Sequence, residues 1–389
     1  MLKHLIRQAT IVLPDRVETN WDMLIENGRI CELGYNLPNA DNTSSCSFNG
    51  DLLIPGLIDT HVHGAGGYDT MDGTAKSLTG LRYALLKEGT TAFLATTLSS
   101  PQDRIHAVLE NITTARKAPA DCPQAELLGV HLEGPFLAPQ YKGAHVSDYI
   151  LPSIHGRDLA AFTQLVKTYP GLIRIITFAI ERMDTAELAA FCQRHGIIPA
   201  VGHTAADYTA MTHAAAAGIC RITHAFNAMP GIHHREPGPM TAGLLNDDIE
   251  LELIADGVHI HPTILEMAFR LKPQNKITLV SDGTRSVGMP NGQYELGEQT
   301  TIVKDGIARL SDGTIAGSAY PLLQGLRTVV QVLKRPLYQA VCFSSLNPAQ
   351  TLGVADRLGS LEPGKDATFL RLSSSLTVKQ VWLQGKRAI

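Results

Sequence analysis

No stretch of this 389-residue chain is long and apolar enough to cross a bilayer. The longest apolar run, Leu172 to Ile180, is strand-sized and interrupted by Arg174, against the roughly 20 residues a spanning helix needs. Charge of one sign is also missing. With 33 Lys and Arg against 37 Asp and Glu, the net charge of −4 leaves no electrostatic footprint for nucleic acid or an anionic membrane, so a small-molecule partner is expected. CxxC pairs are absent: Cys31, Cys46, Cys122, Cys192, Cys220 and Cys342 are scattered. The opening MLKHLIRQATIVLPD has no apolar core of a secretory signal, which points to a reducing, cytoplasmic compartment. Low-complexity tracts, long charge runs and visible repeats are lacking too. What remains is globular material: 44% hydrophobic and 18% charged residues supply a core and too little charge for a solvated tail. At about 100–200 residues per domain, the length fits one large barrel with an accessory module, or two to three domains.

The punctuation comes from alternating strand-like and helix-like segments. Apolar runs fall at Leu53 to Ile58, Thr91 to Thr97, Leu127 to Leu132, Leu172 to Phe178, Ile197 to Val201, Arg221 to Thr223, Leu251 to Ala255 and Ile277 to Ser281. Most are separated by amphipathic stretches such as AKSLTGLRYALLKEG, DRIHAVLENITTARKA and TAELAAFCQRHG, several closed by a glycine as helices often are. Near-continuous apolar strands alternating with helices indicate a parallel sheet covered by helices, and eight such units fit a closed (β/α)8 TIM barrel. An open doubly wound sheet is the competing architecture, but no GxGxxG follows the first strand. Both ends of the chain are β-rich: ATIVLP and DMLIENGRICELG, whose ENG is a hairpin signal, near one, and DATFLRL and TVKQVWLQGKR near the other. Neither end can bury a sheet alone, so residues 1–54 and 355–389 are expected to form one small β-sandwich beside a catalytic barrel of residues 55–354.

Fifteen histidines are the compositional oddity, and several end strands. Strand one runs into DTHVHG with His61 and His63, strand three into HLEGPF with Glu133, strand five into GHTAA with His203, and strand six into THAFNAM with His224. Strand seven ends at ADGVH with Asp256 and His259, and strand eight at VSDG with Asp282. In a β/α barrel these positions share one rim, where the catalytic groups of the fold are placed. His203, His224 and Glu133 are nitrogen and oxygen donors suited to zinc or a similar divalent cation, and three of them leave a position for water. His61 and His63 point to the same side of an extended strand and can hold a second ion bridged through Glu133. Any one of these histidines, taken alone, reads more readily as a core or capping residue; matching strand ends and a shared carboxylate are what set the group apart. Asp282 is placed to take a proton from water and return it to a leaving group, or else is a turn residue before Gly283.

HHREPG after strand six places Arg235 on a rim loop, and Asn227 with Ala228 offers backbone amides beyond His224. A guanidinium fork and exposed amides make an anion clamp, although an ordinary pairing of Arg235 with Glu236 is the plain alternative. His145, in the segment Gly143 to His145, is a candidate donor to a substrate oxygen or a solvated loop residue. His131 sits inside a strand, where a buried structural role outweighs ligation. IAGS, Ile315 to Ser318, follows a hairpin-like QYELGEQTTIVKDGIARL insertion and offers small residues for close backbone approach.

Taken in order from Pro55 to Ser318, PGLIDTHVHG, HLEGPF with KGAH, GHTAA, THAFNAMPGIHHREPG, ADGVH, VSDG and IAGS resemble the N-acetylglucosamine-6-phosphate deacetylase family of the amidohydrolase superfamily. The resemblance covers essentially the whole chain, since GSLEPGKDAT is also like the family's end. It implies metal-dependent removal of acetate from a phosphorylated amino sugar, with Zn2+ as the expected ion, one or two per site. It implies Glu133, His203 and His224 as ligands of the principal metal and Asp282 as the acid/base. Ala144, His145, Asn227, Ala228, Arg235, Asp256, His259, Ile315, Ala316 and Gly317 are implied to bind sugar and phosphate. Family members differ at the first-strand pair, some working with one metal; here His61 and His63 are both present. The same loops also resemble the branch acting on N-acetylgalactosamine 6-phosphate, and a homodimer is implied. Competing readings are a cyclic amidase or deaminase on the same barrel, a non-enzymatic binding module, and a sugar-phosphate isomerase. The first usually adds a bridging lysine where this chain has Glu133, the second would be expected to have lost ligands, and the third needs no metal.

Overall fold

The computed structural model describes residues 3–39, 43–118, 122–151, 157–182 and 184–389. Eight parallel strands hydrogen-bond in chain order: Leu57–Val62, Thr90–Thr96, Glu126–Glu133, Ile173–Phe178, Ile198–Val201, Arg221–Ile222, Glu250–Ile254 and Ile277–Val280. The eighth returns to the first, where the Asp282 amide donates to the His61 carbonyl at 2.9 Å and the His63 amide donates to the Gly283 carbonyl at 2.8 Å. The barrel expected from the alternating pattern is therefore present. Strands such as Thr90–Thr96 and Leu57–Val62 are buried along their whole length, because a barrel strand faces a filled interior on one side and helices on the other.

The covering helices start and stop where the sequence supplies caps. Thr74 Oγ1 accepts the Ser77 amide ahead of Ala75–Lys87, Asp184 accepts the Ala186 and Glu187 amides ahead of Thr185–His195, and Asp207 accepts the Ala210 amide ahead of Tyr208–Ala216. Gly196, at φ 65°, closes Thr185–His195 in the left-handed conformation that favours glycine. No helix among the described residues is long and apolar enough to span a membrane.

Strands from the two ends of the chain form a second, eight-stranded sheet. Lys3–Val12 pairs antiparallel with Val17–Glu26 on one side, and parallel with Thr43–Ser47 and Leu52–Pro55 on the other; Phe369–Leu372 then pairs antiparallel with Leu52–Pro55. The sheet folds around its own core of Ile6, Ile11, Met23, Ile25, Phe48, Leu53, Phe369 and Trp382. The ENG signal turns the hairpin as expected, with Asn27 and Gly28 both at positive φ. One expectation needs correction: the run Leu53 to Ile58 is not one strand. Leu52–Pro55 belongs to the terminal sheet and Leu57–Val62 to the barrel, and the chain crosses between them at Gly56. A Cβ there would come within 2.0 Å of Thr91 Oγ1, so glycine is required for the crossing.

The insertion after strand eight folds as four antiparallel strands, Gly292–Leu296, Gln299–Lys304, Ile307–Arg309 and Ile315–Ser318. The last returns to the barrel rim, where the Ser318 amide donates to the Asp282 carbonyl at 2.8 Å and the Thr284 amide donates to the Ser318 carbonyl at 3.0 Å.

Candidate active site

Glu133 ends the third strand, His61 lies in the first, and His63, His203, His224, Asp256 and Asp282 each stand one or two residues beyond a strand end. The barrel brings the histidines, Glu133 and Asp282 together. Glu133 Oε1 is 3.1 Å from His203 Nε2 and 3.2 Å from His224 Nε2, which are 3.0 Å from each other. Its Oε2 is 3.2 Å from His63 Nε2. Asp282 Oδ1 faces the same group, 3.2 Å from His63 Nε2 and 3.4 Å from His61 Nε2. All six side chains are buried. His203, His224 and Asp282 adopt positive φ, at 48°, 29° and 50°, a cost that surrounding structure must hold in place and that clusters at functional sites.

The chemistry of this donor set fits a divalent cation. His203 Nδ1 donates to the Tyr141 carbonyl at 2.7 Å, which leaves its Nε2 as a lone pair facing an anionic oxygen. Two acceptors 3.1 Å apart repel unless a cation lies between them. His61 Nε2 is buried with no hydrogen-bond partner, as is the second nitrogen of His224. The charges agree. Burial lowers the basicity of His63, yet Asp282 and Glu133 outweigh it and lift its pKa to about 9. Burial likewise opposes protonation of His61, but the same carboxylates raise it well above the usual imidazole range. Burial pushes the Asp282 carboxyl up, and the charges of His61 and His63 bring it down to about 2. The carboxylates thus demand positive charge, supplied by protons on His61 and His63 or by metal.

A pH dependence follows with a definite sign. Groups raised above neutrality are protonated at pH 7 and must lose the proton before ligating, so loading with Zn2+ expels protons and tightens as pH rises toward 9. Calorimetry in buffers of different ionisation enthalpy should report this release; zero net release at pH 7 would contradict it.

The cluster lies at the floor of a cavity of about 410 Å³ lined by Ala144, His145, Asn227, Ala228, His259, Ile315 and Gly317, among others. His145 Nδ1 accepts the Ser99 amide at 3.1 Å, and because a backbone amide only donates, His145 carries its proton on Nε2, which points toward Glu133. Burial lowers its pKa to about 4, so it is a neutral donor. His259 Nδ1 donates to Asp256 Oδ2 at 2.8 Å, which also accepts the Ser318 hydroxyl at 2.8 Å. Asp256 stands behind His259 and not on the cavity wall, and Ala316 is buried between Ile315 and Gly317, which are half-buried and line the cavity. Gly317, at φ 62°, rests on Asp282: a Cβ would come within 2.8 Å of the Asp282 carbonyl.

Arg235 is placed differently. It is exposed, its Nη1 is 2.7 Å from His234 Nε2, and it lines a neighbouring hollow with Tyr208, Ile232 and Glu236 that meets the main cavity at Tyr141. No pairing with Glu236 forms. His131 is buried between the Thr60 carbonyl and the Thr177 hydroxyl. Sequence reasoning missed Ser99, which orients His145, and Lys142, the only Lys or Arg among the described residues lining the cavity. Lys142 was in plain sight beside Gly143, in the KGAH segment. Glu252 and Arg221, described below, were also missed.

A profile of the amidohydrolase family matches residues 52–388. The chain is 38% identical to the N-acetylglucosamine-6-phosphate deacetylase of Bacillus subtilis over 96% of its own length and 94% of that protein's. It is 36% identical to the N-acetylgalactosamine-6-phosphate deacetylase of Escherichia coli O157:H7 over 87% of its length and 88% of that protein's. The crystal structure of the N-acetylglucosamine-6-phosphate deacetylase from Pasteurella multocida superposes with a TM-score of 0.92 at 26% identity, covering 99% of each chain.

Proposed function

The chain belongs to the amidohydrolase family, and from that membership we propose that it is a hydrolase removing acetate from N-acetylglucosamine 6-phosphate, giving glucosamine 6-phosphate. One observation carries the reading: donors from the third, fifth and sixth strands meet at a single Glu133 oxygen, with the Asp282 carboxylate facing the same cluster. Glu133, His203 and His224 hold the principal divalent cation, taken as Zn2+, and His61 and His63 with Glu133 hold a second. A cation so held supplies Lewis acidity and brings the proton of water within reach of a carboxylate at neutral pH.

The remaining work falls to the chain's own groups. Asp282, an anion at neutral pH, takes a proton from the attacking water as its oxygen adds to the acetyl carbonyl. His145 donates its Nε2 proton in a hydrogen bond to the developing oxyanion. As the carbon–nitrogen bond breaks, Asp282 returns the proton to the departing amine. His259, held by Asp256, and the backbone of Asn227, Ala228, Ala144 and Ile315 to Gly317 hold the sugar and its phosphate. Arg235 reaches the phosphate from the neighbouring hollow, so Arg235→Ala should raise KM severalfold or more with kcat little changed. Steady-state kinetics decide this, and a fall in kcat at constant KM would remove Arg235 from the role.

We take residues 55–354 as the catalytic unit, with residues 1–54 and 355–389 as its sheet module, and the working form as a cytoplasmic homodimer. The test of the function is acetate release from N-acetylglucosamine 6-phosphate and its galactosamine epimer by purified protein, before and after chelation. The glucosamine substrate should be turned over faster, and chelation should stop both. Turnover that survives complete metal removal would overturn the reading, and a preference for the galactosamine epimer would move the protein to the branch of its Escherichia coli relative.

A further inference from the structure

Beneath the metal cluster, on the side away from the cavity, lies a set of buried charges that the mechanism does not use. Glu252, on the seventh strand, is fully buried. Its Oε1 accepts from Arg221 Nε at 2.9 Å and from Arg221 Nη2 at 2.8 Å. Arg221 is itself buried, pairs through Nη1 with Glu250, and donates to Thr60 Oγ1 at 3.1 Å. The guanidinium holds Glu252 as a carboxylate. The other oxygen, Oε2, faces the metal cluster: it is 3.3 Å from His61 Nδ1 and 3.4 Å from the His224 amide. A buried ion pair made only for stability has no need to direct its free oxygen at a ligand of each candidate ion.

We propose that Glu252 is a positioning residue for the second cation, fixing the His61 tautomer so that Nε2 presents a lone pair toward Glu133 and Asp282. A carboxylate cannot donate, so the proton of the contact resides on His61 Nδ1. In the neutral imidazole that a cation requires, His61 Nε2 is then the nitrogen without a proton, 3.6 Å from Glu133 Oε1 and 3.4 Å from Asp282 Oδ1, and without a hydrogen-bond partner. A carboxylate behind a ligating imidazole also raises its basicity toward metal, and loss of such a partner costs roughly 10–100-fold in metal affinity. His203 is oriented differently, by the neutral Tyr141 carbonyl, and Glu252 meets His224 only at its backbone amide, so the one imidazole Glu252 orients is that of His61. The inference rests on the reading that this cluster holds divalent cations, but not on the identity of the sugar.

The test is titration of demetallated protein with Zn2+, followed by calorimetry and by elemental analysis after dialysis. Wild type should take two equivalents. Glu252→Gln should keep the tighter one and bind the weaker one roughly 10–100-fold less well. His61→Asn should lose the weaker equivalent, and Glu252→Gln added to His61→Asn should weaken zinc binding no further. Should Glu252→Gln fail to fold because Arg221 loses a partner, Glu252→Asp keeps the charge and withdraws it from His61, with the same expected loss. Two wild-type affinities in a folded Glu252 variant, a single equivalent in wild type, or additive losses in the double variant would each overturn the proposal. Absence of acetate release by the zinc-loaded wild type would instead sink the deacetylase reading and leave the stoichiometry standing.

Discussion

Asp282→Asn should retain its metal and lose nearly all turnover. The amide keeps the shape of the carboxylate and its place at the end of the eighth strand, so Glu133, His203 and His224 are left as they are. What it lacks is the ability to take a proton from water and return it to the amine. Proton transfer by a positioned group contributes about 10²–10⁴-fold, and here one residue performs it twice, so kcat should fall by the upper part of that range. KM should change little, because Asp282 acts on the reacting atoms and not on the phosphate. Elemental analysis beside steady-state kinetics separates the two contributions. Turnover within a few-fold of wild type would show that the proton travels by another route; loss of metal together with turnover would make Asp282 a ligand first.

Glu133→Gln should be as damaging for a different reason. Among the described residues, it is the one carboxylate whose two oxygens face both histidine pairs, Oε1 toward His203 and His224 and Oε2 toward His63. Removing its charge leaves imidazoles converging with half the anionic complement of the cluster. Lewis-acid stabilisation of the reacting carbonyl is worth several kcal/mol, and at about 1.4 kcal/mol per decade its loss corresponds to about a thousandfold or more in kcat/KM. Metal content should fall in parallel, and excess Zn2+ should restore little. A variant with full metal and near-normal kcat/KM would remove Glu133 from the centre of the site.

The barrel was legible because its strands are apolar throughout and its helices carry caps and closing glycines. The site was legible because strand ends and chemistry coincided: His203, His224 and Asp282 each stand two residues past a strand, where a barrel brings distant segments together. The parts that were not legible share a physical cause. Glu252 lies in a strand reading ELELI, where alternating polarity suggests a half-exposed surface; only closure of the barrel puts its carboxylate inside, against Arg221. Ser99 meets His145 Nδ1 with its backbone amide and its hydroxyl, from a loop whose approach to the segment Gly143 to His145 no local pattern encodes. Arg235 has the right chemistry, but where a rim loop carries its guanidinium depends on contacts that periodicity does not encode. The division of the run Leu53 to Ile58 between two sheets turns on Gly56, a single residue whose lack of a side chain becomes meaningful only beside Thr91.

That division ties the far end of the chain to catalysis. The segment carrying His61 and His63 leaves the terminal sheet with one residue to spare, and Leu52–Pro55 is clamped there by Phe369–Leu372, with Phe369 opposite Pro55 and Leu370 opposite Ile54. Trimming the carboxy-terminal strands, or fusing a bulky tag against them, would slacken the anchorage of a barrel stave more than 300 residues upstream in sequence. Injury to the accessory sheet would then surface as faulty metal loading before it surfaced as unfolding.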